Sequence, residues 1–385
     1  MVKYISKLPN VGTTIFATMS NLATKEGAIN LGQGYPNFDC PEELRAMIVH
    51  YLNNGKNQYA PMIGLPVLLD RLAEKMNTIY GCDLVGNKEI TITAGATQAL
   101  FSAITAFVHP GDEVILLEPC YDSYRPSVES AGGVPVAYEL EAPAFKVDWE
   151  EVSSLISDKT RMIIINTPHN PIGKTLKKED MLALESITRN TDIIVLSDEV
   201  YEHLIYDGQA HQSVLRFEEL RKRSLAVYSF GKTFHATGWK IGYCVAPPEL
   251  TAEFRKIHQW NVYCVNSFLQ FALADYLKDP EPYLTLPSFY QKKRDFFEGA
   301  MVDSRLKPLP SEGTYFQLFE YGDISDEDDF TFCKRLTTEF GVAAIPVSVF
   351  YSSQRQGGVI RLCFAKTEDM LTEAAGRLKV GVLAK

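Results

Sequence analysis

Six short apolar runs between Glu89 and Ala246 set the strongest constraint on the fold: EITIT, EVILLE, RMIIIN, DIIVLSD, LAVYSF and KIGYCVA. They are rich in Ile, Val and Leu and lack clean alternation, which is the pattern of strands buried on both faces. Amphipathic helical stretches lie between them, so the expected architecture is α/β layers. In open α/β sheets, ligands gather outside the carboxyl ends of the strands. The residues that follow the runs suit that position: AGATQAL, PCYDSY, TPHNPIGK, SDEVYEH and GKTFHATGWK. Five polar turns in succession point to one composite site.

A chain of 385 residues suits one large domain and a smaller one. The second unit is expected beyond KDPEPYLTLP, where three prolines break the pattern. It reads as α+β: a charged helix near Gln291, strands GTYFQLF and VIRLCF, an acidic-capped helix from Asp326, and a last helix opened by Thr367, Glu368 and Asp369. With 38 basic and 48 acidic residues the net charge is −10, and no cluster of Lys and Arg offers a nucleic-acid or membrane surface. Cys40, Cys82, Cys120, Cys244, Cys264, Cys333 and Cys363 are scattered singly, indicating neither a metal knuckle nor a disulfide framework. No segment has the apolar length of a signal peptide or membrane span, so the expectation is a soluble cytoplasmic protein.

Two Gly-Lys-Thr triplets invite a nucleotide-binding reading, which spacing rejects. A P-loop needs glycine five residues before the Gly-Lys pair, and those positions hold Ala226 and Pro168. A dinucleotide fingerprint at Gly32-Gln33-Gly34 fails as well, because Asn37 stands where the third glycine belongs and no buried strand precedes it. Covalent chemistry remains: a lysine amine can form a Schiff base, and pyridoxal phosphate pairs such a lysine with an acid at its ring nitrogen. Lys232 and Asp198 stand at the ends of successive runs and supply that pair.

From about Ile15 onward the chain resembles the fold-type I aminotransferases of classes I and II, within them the kynurenine and methionine aminotransferase subgroup. The resemblance is carried, in order, by AINLGQGYPNF, NQYAPMIG, ITAGATQAL, NTPHNPIGK, SDEVYEHLIYDG, SFGKTFHATGWKIGY, SEGTYF and VIRLCFAK. It implies a large domain over 38–280, with a mostly parallel seven-stranded sheet flanked by helices, and a smaller α+β domain from 1–37 and 281–385. It also implies pyridoxal 5′-phosphate as cofactor and a homodimer with shared active sites. In this reading Lys232 forms the Schiff base and moves protons, and Asp198 keeps the pyridine nitrogen protonated. Tyr201 and Asn170 hydrogen-bond the phenolic oxygen, and Tyr121 stacks on the ring. The phosphate falls to Gly95, Ala96 and Thr97 at a helix N-terminus, to Ser229 and Lys240, and to Tyr59 from the partner subunit. Many relatives carry arginine where Lys240 stands and serine where Gly231 stands, so this phosphate cup is a variant. Arg361, with Gly34 and Asn170, is assigned the substrate carboxylate. Glu118-Pro119 and Asn170-Pro171 are candidates for cis bonds.

The implied reaction is ping-pong transfer of an amino group from an amino acid to a 2-oxo acid. No second arginine matches a dicarboxylate, and Ile15, Phe16, Tyr35 and the partner chain's Tyr263 are apolar or aromatic candidates for the side-chain pocket. An uncharged donor such as methionine, phenylalanine, tyrosine, kynurenine or glutamine is therefore expected. A β-lyase acting on cysteine conjugates or cystathionine would use the same lysine and aspartate. A cofactor-binding sensor domain of a transcription regulator ranks below both, because it needs an attached DNA-binding domain and the resemblance begins almost at the start of this chain.

Overall fold

The computed structural model describes residues 2–3 and 5–383. At its centre is a seven-stranded sheet. Its strands are β1 (Ile90–Thr93), β2 (Glu113–Glu118), β3 (Val134–Glu139), β4 (Thr160–Asn166), β5 (Ile194–Asp198), β6 (Ser224–Ser229) and β7 (Gly242–Val245), in the spatial order β1-β7-β6-β5-β4-β2-β3. All pairings are parallel except those of β7, which runs antiparallel to both of its neighbours.

The unalternating apolar runs have a direct structural cause. Val114, Leu116, Met162, Ile164, Leu196, Leu225 and Val227 face one core, while Ile115, Leu117, Ile163, Ile165, Val195 and Ala226 face the other. Each central strand is therefore covered on both sides and carries polar groups only near its ends. The six sequence runs correspond to six strands. The seventh, β3, reads differently because it is a half-buried edge strand with Pro135 in it, where a missing ladder donor is tolerated.

From Leu286 onward the chain forms helix Leu286–Ala300 and a four-stranded antiparallel sheet, ordered Ile345–Pro346, Val359–Cys363, Phe316–Glu320, Lys307–Pro308. Helix Asp329–Glu339 starts at an Asp328 side-chain cap, two residues after the expected Asp326, and helix Glu368–Leu383 follows the final strand. The N-terminal helix Ile15–Glu26 leads into Ile29–Asn30, which pairs in parallel with Val342–Ala343. This pairing brings Gly32 and Gly34 beside the sheet that carries Arg361.

Beneath the carboxyl end of β5 lies a buried polar network that fixes the following turn. Glu199 accepts from Tyr228, Ser197 and the Val214 backbone N–H, and Glu202 accepts from Lys75 at 2.5 Å, Tyr243 at 3.1 Å and Tyr80. Burial alone would raise the Glu202 carboxyl, but Lys75 and His203 hold it well below the usual carboxylate range. Removing one member of such a pair strands the other's charge. Lys75→Ala is therefore expected to cost about 3–5 kcal/mol in urea unfolding, with most of the loss recovered by adding Glu202→Gln. Additive losses in the double variant would contradict the coupling.

Candidate active site

A cavity opens at the carboxyl edge of the sheet, and all five of the polar turns contribute to it. Its lining includes Gly95, Ala96 and Thr97 after β1, Tyr121 after β2, Asn166 and Asn170 at the end of β4, Asp198 and Tyr201 at the end of β5, and Ser229, Lys232 and Lys240 after β6. Strand register explains the convergence, since Asn166 pairs with Asp198 and Asp198 with Val227.

Asp198 is 4% exposed. Its Oδ2 accepts from the Tyr124 hydroxyl at 2.6 Å and its Oδ1 from the Val200 backbone N–H at 3.3 Å. Desolvation dominates, and the carboxyl is pushed up to about 6. Lys232 lies on the short helix Phe230–Thr233 that closes β6. Desolvation brings its amine down to about 8, with Asp198 opposing the shift and Lys240 and Arg361 reinforcing it. Its Nζ donates to the Tyr315 hydroxyl at 2.7 Å. Tyr201 is buried with its ring edge-on to Tyr315, and burial raises its hydroxyl.

At the opposite wall, helix Ala96–Phe107 begins at Gly95, whose φ of 81° suits glycine, and no side chain caps its N-terminus. The first N–H groups of a twelve-residue helix thus face the cavity together with Ser229 and Lys240. Lys240 itself takes a left-handed φ of 52°, and a Cβ built on Gly95 would lie 3.5 Å from the Lys240 Cα. Unpaired N–H groups, a helix dipole and an ammonium together form an anion cradle.

Arg361 is 1% exposed on strand Val359–Cys363. Its Nη1 donates to Asn170 Oδ1 at 2.7 Å and its Nη2 to the Gly32 carbonyl at 3.1 Å, while its Nε has no partner among the described residues. The Phe316 ring stacks on the guanidinium at 3.9 Å, and Phe16 and Phe350 flank it. Burial brings Arg361 down to about 10. Its hydrogen-bond acceptors are neutral, and no carboxylate forms a salt bridge with it among the described residues; Asp122 acts on it only through space.

Other residues singled out in the sequence lie elsewhere. Tyr59 is 84% exposed and sits edge-on to Tyr263, their rings 5.5 Å apart, and neither lines the cavity of its own chain. Tyr35 is exposed beside Lys366, and Ile15 packs against the core. Gly34 lies under Phe316, so tightly that a Cβ would come within 2.7 Å of that ring. Glu118-Pro119 and Asn170-Pro171 are both cis. Sequence reasoning missed Tyr124, Tyr315 and the Gly32 carbonyl as members of the site. Tyr124 stands in the PCYDSY turn, but its bond to Asp198 depends on tertiary packing.

The donor set fits a molecule with an anionic end for the helix terminus, a ring nitrogen for the buried acid and a carbonyl for the lysine. Fold and site therefore define a pyridoxal-phosphate-dependent α/β transferase. The chain belongs to the class I and II aminotransferases, whose family model, "Aminotransferase class I and II", matches residues 26–378. It is 50% identical over 375 residues to the methionine aminotransferase of Escherichia coli K12, covering 97% of each chain. It is 32% identical over 407 residues to a kynurenine–oxoglutarate transaminase of Dictyostelium discoideum, covering 95% of this chain and 94% of that one. A solved Escherichia coli structure identified with a methionine aminotransferase function superposes with a TM-score of 0.97 at 50% identity, over 99% of this chain and all of the other.

The raised Asp198 carboxyl has a stability consequence. Folded, it holds its proton to about pH 6, against 3.8 for a free aspartate, so the native state binds more protons between these values. Its stability therefore falls as pH rises through that window. Cofactor-free Asp198→Asn is expected to exceed its parent by about 3 kcal/mol at pH 8, the gap closing toward pH 4, as read by chemical denaturation. A gap that does not vary with pH would show that the carboxyl is not destabilised by burial.

Proposed function

We propose that the chain transfers the amino group of an uncharged L-amino acid, methionine foremost, to a 2-oxo acid by a ping-pong mechanism. The observation that carries this reading is the juxtaposition of Lys232, Asp198 and an arginine buried without a carboxylate partner. Bound in the cavity, pyridoxal phosphate supplies an aldehyde that captures primary amines and a protonated ring that draws electron density from a carbanion. Lys232 takes the proton from the substrate Cα, a task suited to an amine whose basicity burial has brought near neutrality. Asp198, held by Tyr124, keeps the ring nitrogen protonated. Ser229, Lys240 and the Gly95–Thr97 helix terminus hold the phosphate, Tyr121 covers the ring, and Tyr201 and Asn170 donate to its phenolic oxygen. Arg361 holds the α-carboxylate with Asn170 and the Gly34 backbone, and the paired guanidinium bonds fix the substrate's orientation.

The preference for an uncharged side chain is supported by the surroundings of Arg361. Phe16 and Phe350 flank it, and the Asp122 carboxylate, whose charge Arg361 feels, would repel an acidic side chain. The Escherichia coli relative's methionine activity supports the same choice. We further infer a cytoplasmic homodimer in which Tyr59 and Tyr263 reach the partner's cavity. The exposed Tyr59–Tyr263 pair and the exposed Trp260 support it, as do seven unpaired cysteines and the lack, among the described residues, of any helix long and apolar enough to cross a membrane.

In the test, the loaded protein is mixed with methionine and its visible band is followed, together with amine transfer to a 2-oxo acid. A band that amino acids cannot shift contradicts the proposal. Release of pyruvate and ammonia from a cysteine conjugate, without transfer, would favour a β-lyase. Arg361→Ala is expected to raise KM for every amino donor by 10²-fold or more, on the order of 3 kcal/mol, whatever the side chain. A donor-selective effect would remove its carboxylate role.

A further inference from the structure

Tyr315 is fully buried, yet its hydroxyl bridges two distant parts of the chain, the Lys232 turn and the Gly34 segment. It accepts a hydrogen bond from Lys232 Nζ at 2.7 Å and donates one to the Gly34 carbonyl at 2.6 Å. A tyrosine hydroxyl has a single proton. Since that proton goes to a carbonyl that can only accept, the same oxygen can meet Lys232 only as an acceptor. The bond therefore uses one N–H of the lysine and leaves the nitrogen lone pair, once the ammonium has lost a proton, free toward the cavity. A hydroxyl oriented the other way would occupy that lone pair and blunt the base.

Packing holds the ring in this orientation. Tyr201 lies edge-on at 5.2 Å, Phe316 at 4.9 Å and Tyr290 tilted at 5.9 Å. The preceding residue, Thr314, sits in the left-handed region at φ 67°, a conformation that costs a non-glycine residue and aims the next side chain into the site. The charged and titratable groups facing Lys232 are Asp198, Lys240, Arg361, Cys363, Tyr201 and Tyr315. Of these, Tyr315 is the one whose hydrogen bond to Nζ the geometry defines.

We propose that Tyr315 is a positioning residue for Lys232: its hydroxyl docks the free amine with the lone pair presented to substrate and ties that amine to the Gly32–Gly34 segment. The inference rests on Lys232 being the Schiff-base lysine. It also gives the N-terminal segment a mechanical link to the base. Arg361 donates to the Gly32 carbonyl, so the groups assigned to the substrate carboxylate and to the proton-moving amine share one backbone stretch.

The test is Tyr315→Phe in the full-length protein, which keeps the ring packing and removes the oxygen. Losing an acceptor for the ammonium should lower the pKa of Lys232 further, by about one unit, read as the pH dependence of its modification by an amine-reactive label in the cofactor-free protein. The pH midpoint of Schiff-base band growth after pyridoxal phosphate is added should move by the same amount. In the loaded enzyme kcat should fall about tenfold with KM for methionine within twofold, since the substrate contacts remain. Labelling and capture profiles that superpose on those of the parent would overturn the proposal, and so would a kcat within twofold of it. Lys232→Ala separates this from the underlying reading: if that variant still forms the amino-acid-sensitive band, Lys232 is not the Schiff-base lysine, whatever Tyr315 does.

Discussion

The site depends on the double-sided burial of a parallel sheet. With apolar side chains committed to both faces of β2, β4, β5 and β6, the chemistry collects at the carboxyl ends, where the backbone turns and polar groups can meet. The pairing of Asn166 with Asp198 and of Asp198 with Val227 sets these ends level, and the short helix after β6 then lifts Lys232 into the same space. A shift of one residue in any of these strands would exchange the side chains fitted to its two cores and turn its terminal acid or amide away from the cavity.

Three charged groups at the site share one physical condition. Asp198, Lys232 and Arg361 are each moved toward their neutral forms, and desolvation is the leading cause for all three. The protein compensates with neutral partners: the Tyr124 hydroxyl for the acid, the Tyr315 hydroxyl for the amine, and the Asn170 amide with the Gly32 carbonyl for the guanidinium. Neutral partners hold a side chain in place without neutralising its charge, so a ligand of complementary charge has the most to gain there. The stability forgone is supplied elsewhere, by the apolar burial of the two cores.

Much of this was legible in the sequence because burial on both faces leaves a strong compositional mark. β2 and β4 to β7 were visible as runs of Ile, Val and Leu, and β1 as EITIT, whereas β3 was not, since Val134-Pro135-Val136 on a half-exposed edge looks like any loop beside an apolar patch. Lys232 and Asp198 followed from their places at strand ends. Their roles, and those of Tyr201, Asn170 and Lys240, needed the resemblance to a known family, because isolated tyrosines, amides and lysines are ordinary residues. Tyr124 and Tyr315 escaped notice among 19 tyrosines because what distinguishes them is a hydrogen bond across 74 and 83 residues of chain. Nothing local to either marks such a contact.

The central claim is that Lys232, and not its neighbour Lys240, bonds the cofactor's aldehyde carbon. It is tested most directly by reducing the cofactor-loaded protein with borohydride and mapping the modified peptide by mass spectrometry. The account predicts a stable pyridoxyl phosphate adduct on Lys232 and an unmodified Lys240. An adduct on Lys240, or on no lysine of this segment, would contradict it.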